Sequence, residues 1–491
     1  MATYLKKPTN SSANGTTSPS PSTSSSVPTI VSSVIADIRA NGDAAVRSYS
    51  QKFDNWSPPS FKLSQEQIDK AIAACPKQLI EDIKTVQGNV RRFAQAQKDS
   101  LRDFEVEVEP GVKLGQKNIP VGRVGAYIPG GRYPLLASAH MTILTARVAG
   151  VENVIGATPP IAGEIPNATV AAMHLAGADE IYLLGGVQAI AAMAVGTETI
   201  AKVDFLAGPG NAFVAEAKRQ LYGSVGIDLF AGPTEILIVA DDAASPYTVA
   251  VDLLSQAEHG PDTPAILITT SESVGRRAMQ HVDELLKVLP TAELAGASWR
   301  DFGEVAVVRD LDAAYALADE YASEHVQILM REPREALQKM RNYGALFLGE
   351  RTCVSYGDKV RLFLSFPFGF AFPPDSISIV GMETTSKFSD IIPFQCIGTN
   401  HVLPTRGAAR YTGGLWVGKF LKTVTYQEVV EGKASGELGR LCGRAARAER
   451  FEGHARSGDL RAKLYLGDEF EWISKTADAE VVGEGQKSNG V

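Results

Sequence analysis

From Val121 onward the chain alternates short apolar runs with alanine-rich helical segments, and that alternation restricts the fold more than any other feature. The runs are Val124-Gly-Ala-Tyr-Ile128, Asn153-Val-Ile-Gly156, Glu180-Ile-Tyr-Leu-Leu184, Lys202-Val-Asp-Phe-Leu206 and Thr234-Glu-Ile-Leu-Ile-Val239. Strands separated by helical crossovers make a parallel sheet. A second such rhythm runs through Ala265-Ile-Leu-Ile-Thr-Thr270, Glu304-Val-Ala-Val-Val308, a helix from Leu311 to Ser323, and Val326-Gln-Ile-Leu-Met330. The fold class is therefore α/β with two sheet-bearing lobes. Four glycine-rich turns, Pro129-Gly-Gly-Arg132, Gly185-Gly-Val-Gln188, Gly208-Pro-Gly-Asn211 and Gly232-Pro-Thr234, read as the ends of strands. There an open α/β sheet binds ligands, and bare backbone can approach a phosphate. Singly each is more readily a tight loop; four in one unit tilt the reading toward a nucleotide. No G-x-G-x-x-G occurs, so a standard dinucleotide fold is not supported.

Two further segments, Ile30 to Phe53 and Ser64 to Leu101, carry apolar residues at helical spacing, and Thr425 to Leu466 reads as helical and charged. Residues 8 to 27 are almost all Ser, Thr, Pro, Asn and Gly, a composition that cannot bury enough surface to fold. They read as a disordered tail on a cytoplasmic protein. The net charge of -8 argues against nucleic acid or an anionic membrane surface as the main partner. The four cysteines form no C-x-x-C pair, which excludes a cysteine-based zinc site and fits a reducing compartment.

Only seven histidines are present, and three fall inside polar clusters that no core requires. Asp252-Leu-Leu-Ser-Gln-Ala-Glu-His-Gly260 reads as the last turns of a helix, which puts Gln256 and His259 on one face. With Asp358 and His454 they supply two imidazoles, a carboxylate and an amide oxygen, a set that suits Zn²⁺ with an open position for a substrate oxygen. Taken alone, Asp358 reads more readily as a turn residue, and His454 as a solvated helix residue. Glu324 and His325 are the natural acid/base pair: the imidazole takes an alcohol proton and the carboxylate activates a water. The plain alternative for His325 is a strand residue bonded within the core.

Together these residues resemble the histidinol dehydrogenase family, from about Tyr4 to Phe470. The resemblance is carried by Gly125-Ala-Tyr-Ile-Pro-Gly-Gly131, Gly208-Pro-Gly-Asn-Ala-Phe213, Ala231-Gly-Pro-Thr-Glu235, Ser255-Gln-Ala-Glu-His-Gly260, Glu324-His325 and Gly398-Thr-Asn-His-Val-Leu-Pro-Thr405. It implies a zinc enzyme that oxidises an alcohol through an aldehyde to an acid with NAD. It also implies two incomplete Rossmann-like lobes plus a helical C-terminal segment, in an intertwined homodimer with shared active sites. Zinc falls to Gln256, His259, Asp358 and His454, proton acceptance to Glu324 and His325, and NAD contacts to Tyr127, Gln188 and Asn211. The substrate positions are Thr234 and Glu449, with His325 and the four zinc ligands. On this basis residues 1–27 are a tail, 121–234 the NAD-binding lobe, 28–120 with 235–420 the metal-binding catalytic lobe, 421–475 the helical C-terminal segment and 476–491 a second tail.

Within the family the chain looks closer to the sulfopropanediol 3-dehydrogenase branch than to the biosynthetic enzymes. The pointers are Tyr4-Leu-Lys-Lys7, Asn89-Val-Arg-Arg-Phe-Ala94, Gly130-Gly-Arg-Tyr133, Val354-Ser-Tyr-Gly-Asp-Lys359 and Ala409-Arg-Tyr-Thr-Gly-Gly-Leu415. Arg132, Lys359, Arg406 and Arg410 add cations that an anionic alcohol could use and that cationic histidinol could not. Residues 360–395 depart from the family pattern, with neither helical nor strand period. They read as a retained intron, since an in-frame excision joins Lys359 to Cys396. A genuine surface loop is the alternative. Two other functional readings stay open: a zinc hydrolase using the same ligands, and a family member impaired by the insert.

Overall fold

The computed structural model describes residues 2–9, 26–130, 135–229, 232–358 and 398–476. Two units divide the chain: Met1–Lys98 with Pro120–Phe420, and Asp99–Ile119 with Leu421–Val491. The insert at 360–395 and the cations Arg132 and Lys359 lie outside the described residues.

The first unit holds two parallel sheets. One comprises β4 (Arg123–Tyr127), β5 (Asn153–Thr158), β6 (Glu180–Leu183), β7 (Phe205–Ala207) and β8 (Gly226–Ile227), in the order β6-β5-β4-β7-β8. The other comprises β9 (Ile236–Ala240), β10 (Ala265–Thr269), β11 (Gly303–Val307), β12 (His325–Leu329) and β13 (Ala345–Leu348), in the order β11-β10-β9-β12-β13. In each, the first strand lies beside the fourth and the order reverses there. Strands β9, β10 and β12 are buried at every position. Helices cover both faces of such a sheet, so its strands are continuous apolar runs rather than alternating ones.

Three assignments from the sequence need correction. The N-terminal tail is not wholly unstructured: β1 (Thr3–Lys6) adds an antiparallel edge strand to β11. The helix Ser26–Asp54 packs Val31, Val34, Ile35 and Ile38 into the core of the first sheet. The N-terminal helices thus join the nucleotide lobe, where 28–120 had been assigned to the catalytic one. Its apolar stripe needed a partner surface, and spacing alone does not say which. Third, residues 421–429 are a strand, not a helix.

That strand, β14 (Leu421–Val429), belongs to the second unit, with β2 (Phe104–Glu109) and β3 (Val112–Pro120) in the order β14-β3-β2. Strands β2 and β3 form an antiparallel hairpin, and Gly111, at φ 77, supplies the left-handed residue of its turn. Phe104-Glu-Val-Glu-Val-Glu109 alternates with period two, a signal the sequence carried plainly. The helices Gly432–Ala448 and Glu452–Leu466 pack as a hairpin. They approach closely because Gly439 and Gly458 face one another: a Cβ on either would meet the other's carbonyl oxygen.

Candidate active site

In a parallel sheet each crossover helix runs back toward the amino ends of the strands. The helix Pro246–Ala257 follows β9, so its last turn, with Gln256, returns to that edge. Thr234 and Glu235 precede β9, Glu324 precedes β12, and His325 opens β12 in register with Ile236. The cluster therefore sits at the amino-terminal edge of the second sheet. Gly232-Pro-Thr234 accordingly opens β9 rather than closing a strand, which corrects the reading of that turn.

A continuous hydrogen-bonded chain links these residues. Thr234 Oγ1 donates to Glu324 Oε2 at 2.5 Å and accepts from Gln256 Nε2 at 2.6 Å. The Glu235 N–H donates to the same Glu324 oxygen at 3.0 Å. His325 Nδ1 lies 2.9 Å from the Glu235 carbonyl oxygen and 3.3 Å from Glu324 Oε2. Both neighbours are acceptors, so Nδ1 carries the proton and Nε2 the lone pair. His325 is 2 % exposed, as a strand residue in the core would be, yet its tautomer is set as a general base requires.

The same logic orients Gln256. The Thr234 hydroxyl proton goes to the Glu324 carboxylate, so Gln256 must present its NH₂ there, leaving Oε1 for a cation. His259 lies just past the helix end, its N–H bonded to the Gln256 carbonyl at 3.1 Å, and is exposed. The negative end of the helix dipole faces this turn and favours a metal ion there. The helix Val354–Asp358, which carries Asp358 at its end, packs against Pro246–Ala257. Among the described residues, no three His, Cys, Asp or Glu side chains gather as a metal cluster.

Spacing did not reveal several neighbours. Glu235 is pushed up to about 7, first by burial and further by the Glu324 charge, against the lowering effect of the Arg406 N–H. Asp252, one turn before Gln256, is raised to about 6 by burial, while a 2.7 Å hydrogen bond from Gln327 Nε2 opposes the shift. Gln327 also donates to the Thr352 carbonyl, so one amide ties the Gln256 helix to β12 and to the segment preceding Asp358. The signals that point to them are position alone: Asp252 stands four before Gln256 on its helix, and Gln327 two after His325 on the same strand face.

The other set of expected residues lies at the carboxyl edge of the first sheet. Tyr127 ends β4, and its hydroxyl accepts the Gly186 N–H at 3.0 Å. Gln188 Nε2 donates to Asp54 at 2.7 Å, while its buried Oε1 has no hydrogen-bond partner among the described residues. Asn211 caps the helix Ala212–Leu221, accepting from the N–H groups of Phe213 and Val214. Gly208, at φ 119, comes so close to Tyr127 that a Cβ would be driven into its carbonyl oxygen. The crevice thus opens where β4 and β7 lie side by side and the strand order reverses, the place where such sheets bind nucleotides. An unsatisfied buried amide oxygen fits a polar ligand there.

The histidinol dehydrogenase family model matches residues 18–361 and 377–462. The chain belongs to the histidinol dehydrogenase family. It is 54% identical to a histidinol dehydrogenase homolog of Shouchella clausii, over 89% of this chain and 94% of that one. It is 42% identical to the sulfopropanediol 3-dehydrogenase of Ruegeria pomeroyi, over 92% and 95%. The structure of histidinol dehydrogenase from Elizabethkingia anophelis superposes with a TM-score of 0.80 at 32% identity, covering 93% of this chain and 95% of that one. The chain is thus an NAD-dependent alcohol oxidoreductase acting on CH–OH groups, not the hydrolase that residue types alone had left open. Residues 362–376, within the insert, lie between the two matched spans.

The remaining expected residues of this dehydrogenase, Glu449 and His454, lie in the second unit, at the turn of its helical hairpin. Both are exposed. Arg447 and Trp472 hold Asp459 from two sides at 2.5 and 3.0 Å, which fixes the hairpin carrying them.

Proposed function

We propose that the Thr234–Gln256–Glu324–His325 cluster oxidises an anionic primary alcohol, a sulfonated diol being the model substrate, through its aldehyde to the acid. The tautomer of His325 carries this reading. Its Nε2 is the acceptor for the alcohol proton, and the Glu235 carbonyl and Glu324 carboxylate stabilise the imidazolium that forms. Thr234 positions the substrate while keeping the Gln256 amide aligned. Glu324 activates a water for the second oxidation.

Gln256, His259, Asp358 and His454 would hold a zinc ion, and Tyr127, Gln188 and Asn211 would hold NAD. Zinc supplies a Lewis acid for the substrate oxygen, and NAD accepts the hydride. The exposed positions of Glu449 and His454 suit a homodimer in which they complete a shared site. Exposed apolar residues of the second unit, Phe104, Val106, Val108 and Leu441 among them, suit burial between subunits.

The test is NADH formation from 2,3-dihydroxypropane-1-sulfonate against L-histidinol. Turnover should favour the sulfonate, vanish with EDTA and return with zinc. His325→Ala should lower kcat by roughly 10²- to 10⁴-fold while zinc stays bound. A preference for histidinol, or EDTA-resistant turnover, would refute the reading.

A further inference from the structure

Beside the cluster lies a cation that the hydrogen-bonded chain does not use. Thr405 Oγ1 accepts the Gly232 N–H at 2.5 Å, and the Arg406 N–H donates to Glu235 Oε1 at 2.6 Å. These two bonds place Arg406 against the loop that opens β9. Its backbone is left-handed at φ 55, followed by Gly407 at φ 70. Glycine or asparagine is the ordinary occupant of such a position, so an arginine there is held against a local conformational cost.

The side chain accounts for a neighbouring glycine. A Cβ on Gly232 would lie 2.5 Å from Arg406 Nε and 3.1 Å from its Cδ and Cζ. Gly232 is not at positive φ, so its backbone does not require glycine; a larger residue would instead displace the Arg406 side chain. The guanidinium lies on that bare backbone, two residues before Thr234.

Arg406 is exposed, and among the described residues no hydrogen bond or ion pair engages its guanidinium. Arg410, four residues on, is instead hydrogen-bonded to the Glu320 carbonyl. The nearest carboxylates are occupied: Glu324 accepts from Thr234 and Glu235, and Glu235 accepts the Arg406 backbone N–H. A carboxylate so close to the reacting position, that of Glu324, would repel an anionic substrate unless a cation offset it.

We infer that Arg406 is the specificity-determining residue of this site, binding the sulfonate or carboxylate of the substrate so that its alcohol end reaches Thr234 and His325. The inference rests on the reading that the cluster oxidises an anionic alcohol, and it adds the residue that selects the anion. A planar guanidinium forks onto two oxygens of such a group, whereas a lysine offers only a point charge.

The experiment compares 2,3-dihydroxypropane-1-sulfonate with uncharged glycerol in the full-length zinc- and NAD-loaded enzyme, for wild type, Arg406→Gly and Arg406→Lys. Arg406→Gly removes the side chain and suits φ 55, so folding is preserved. The wild-type preference in kcat/KM for the sulfonate should fall roughly ten- to a hundredfold in Arg406→Gly, mostly through KM, and less in Arg406→Lys. Calorimetric binding of the sulfonate should weaken in the same order. A preference unchanged within twofold would overturn the role of Arg406 while leaving the anionic-alcohol reading intact. An equal loss on both substrates would make Arg406 a structural residue and overturn it likewise. Wild type that turns over histidinol but no sulfonated or carboxylated alcohol would overturn both.

Discussion

Glu235 does its work through backbone and side chain at once: its carbonyl fixes the His325 tautomer, and its carboxyl anchors Arg406. Burial raises that carboxyl to about 7 from an ordinary value of 4.5, so the folded state favours the protonated form. The stability it contributes is fully present below about 4.5 and is lost as the pH rises through about 7. Glu235→Gln should abolish that loss, so that from pH 4 to pH 8 the metal-free variant gains roughly 3 kcal/mol of stability relative to wild type. Denaturant unfolding from pH 4 to 8 measures it; parallel profiles would show that Glu235 is ionised throughout. Glu324, His325, Thr234 and Gln256 were legible as residue types, because carboxylate, imidazole and amide at those positions have little to do in a core. Glu235 was not, since a single acid before an apolar strand is ordinary, and only burial against Glu324 gives it a shifted proton.

A buried ion pair organises the loop after β7. Lys218 and Asp228 pair below the surface, the lysine donating to the Gly208 carbonyl at 2.9 Å and the aspartate accepting the Gly208 N–H at 2.7 Å. Both polar groups of a left-handed glycine are thereby clamped just beyond the end of β7. Breaking one partner strands the other charge, so Lys218→Met should cost about 3–5 kcal/mol and weaken NAD binding. The double variant Lys218→Met/Asp228→Leu should recover most of the stability but not the NAD affinity. Denaturant unfolding with NAD titration separates the two effects; recovered affinity would show that the clamp does not shape the crevice. Most strands of the two parallel sheets were readable, because short apolar runs between amphipathic helices have few alternatives; the edge strands β1, β8 and β13 were not. A lysine in a helix and an aspartate ten residues on carried no such signal. A similar case is the buried π-helical turn His140–Leu144, where the Asn400 amide reaches the Met141 carbonyl at 2.9 Å from far along the chain.

At the scale of the whole molecule, the proposed shared sites make a distinct prediction. If His454 serves the partner's cluster, His325→Ala and His454→Ala subunits should complement one another, since each mixed dimer holds one site with neither change. Equal co-expression should restore roughly a quarter of wild-type activity from two inactive parents. No recovery in verified mixed dimers would place His454 in its own subunit's site. The amino-acid sequence by itself determined the two parallel sheets, the family and the residue types of the candidate site. Period, turn residues and clustered polar types are local properties, and local properties survive in a string of letters. Only the tertiary structure decided that the cluster lies at the amino edge of its sheet, that the N-terminal helices pack on the nucleotide lobe, and that residues 104–120 and 421–429 build one sheet. Those outcomes depend on which apolar face meets which, and on pairings between strands hundreds of residues apart. Spacing along the chain encodes neither; burial and hydrogen bonding in the folded state select them.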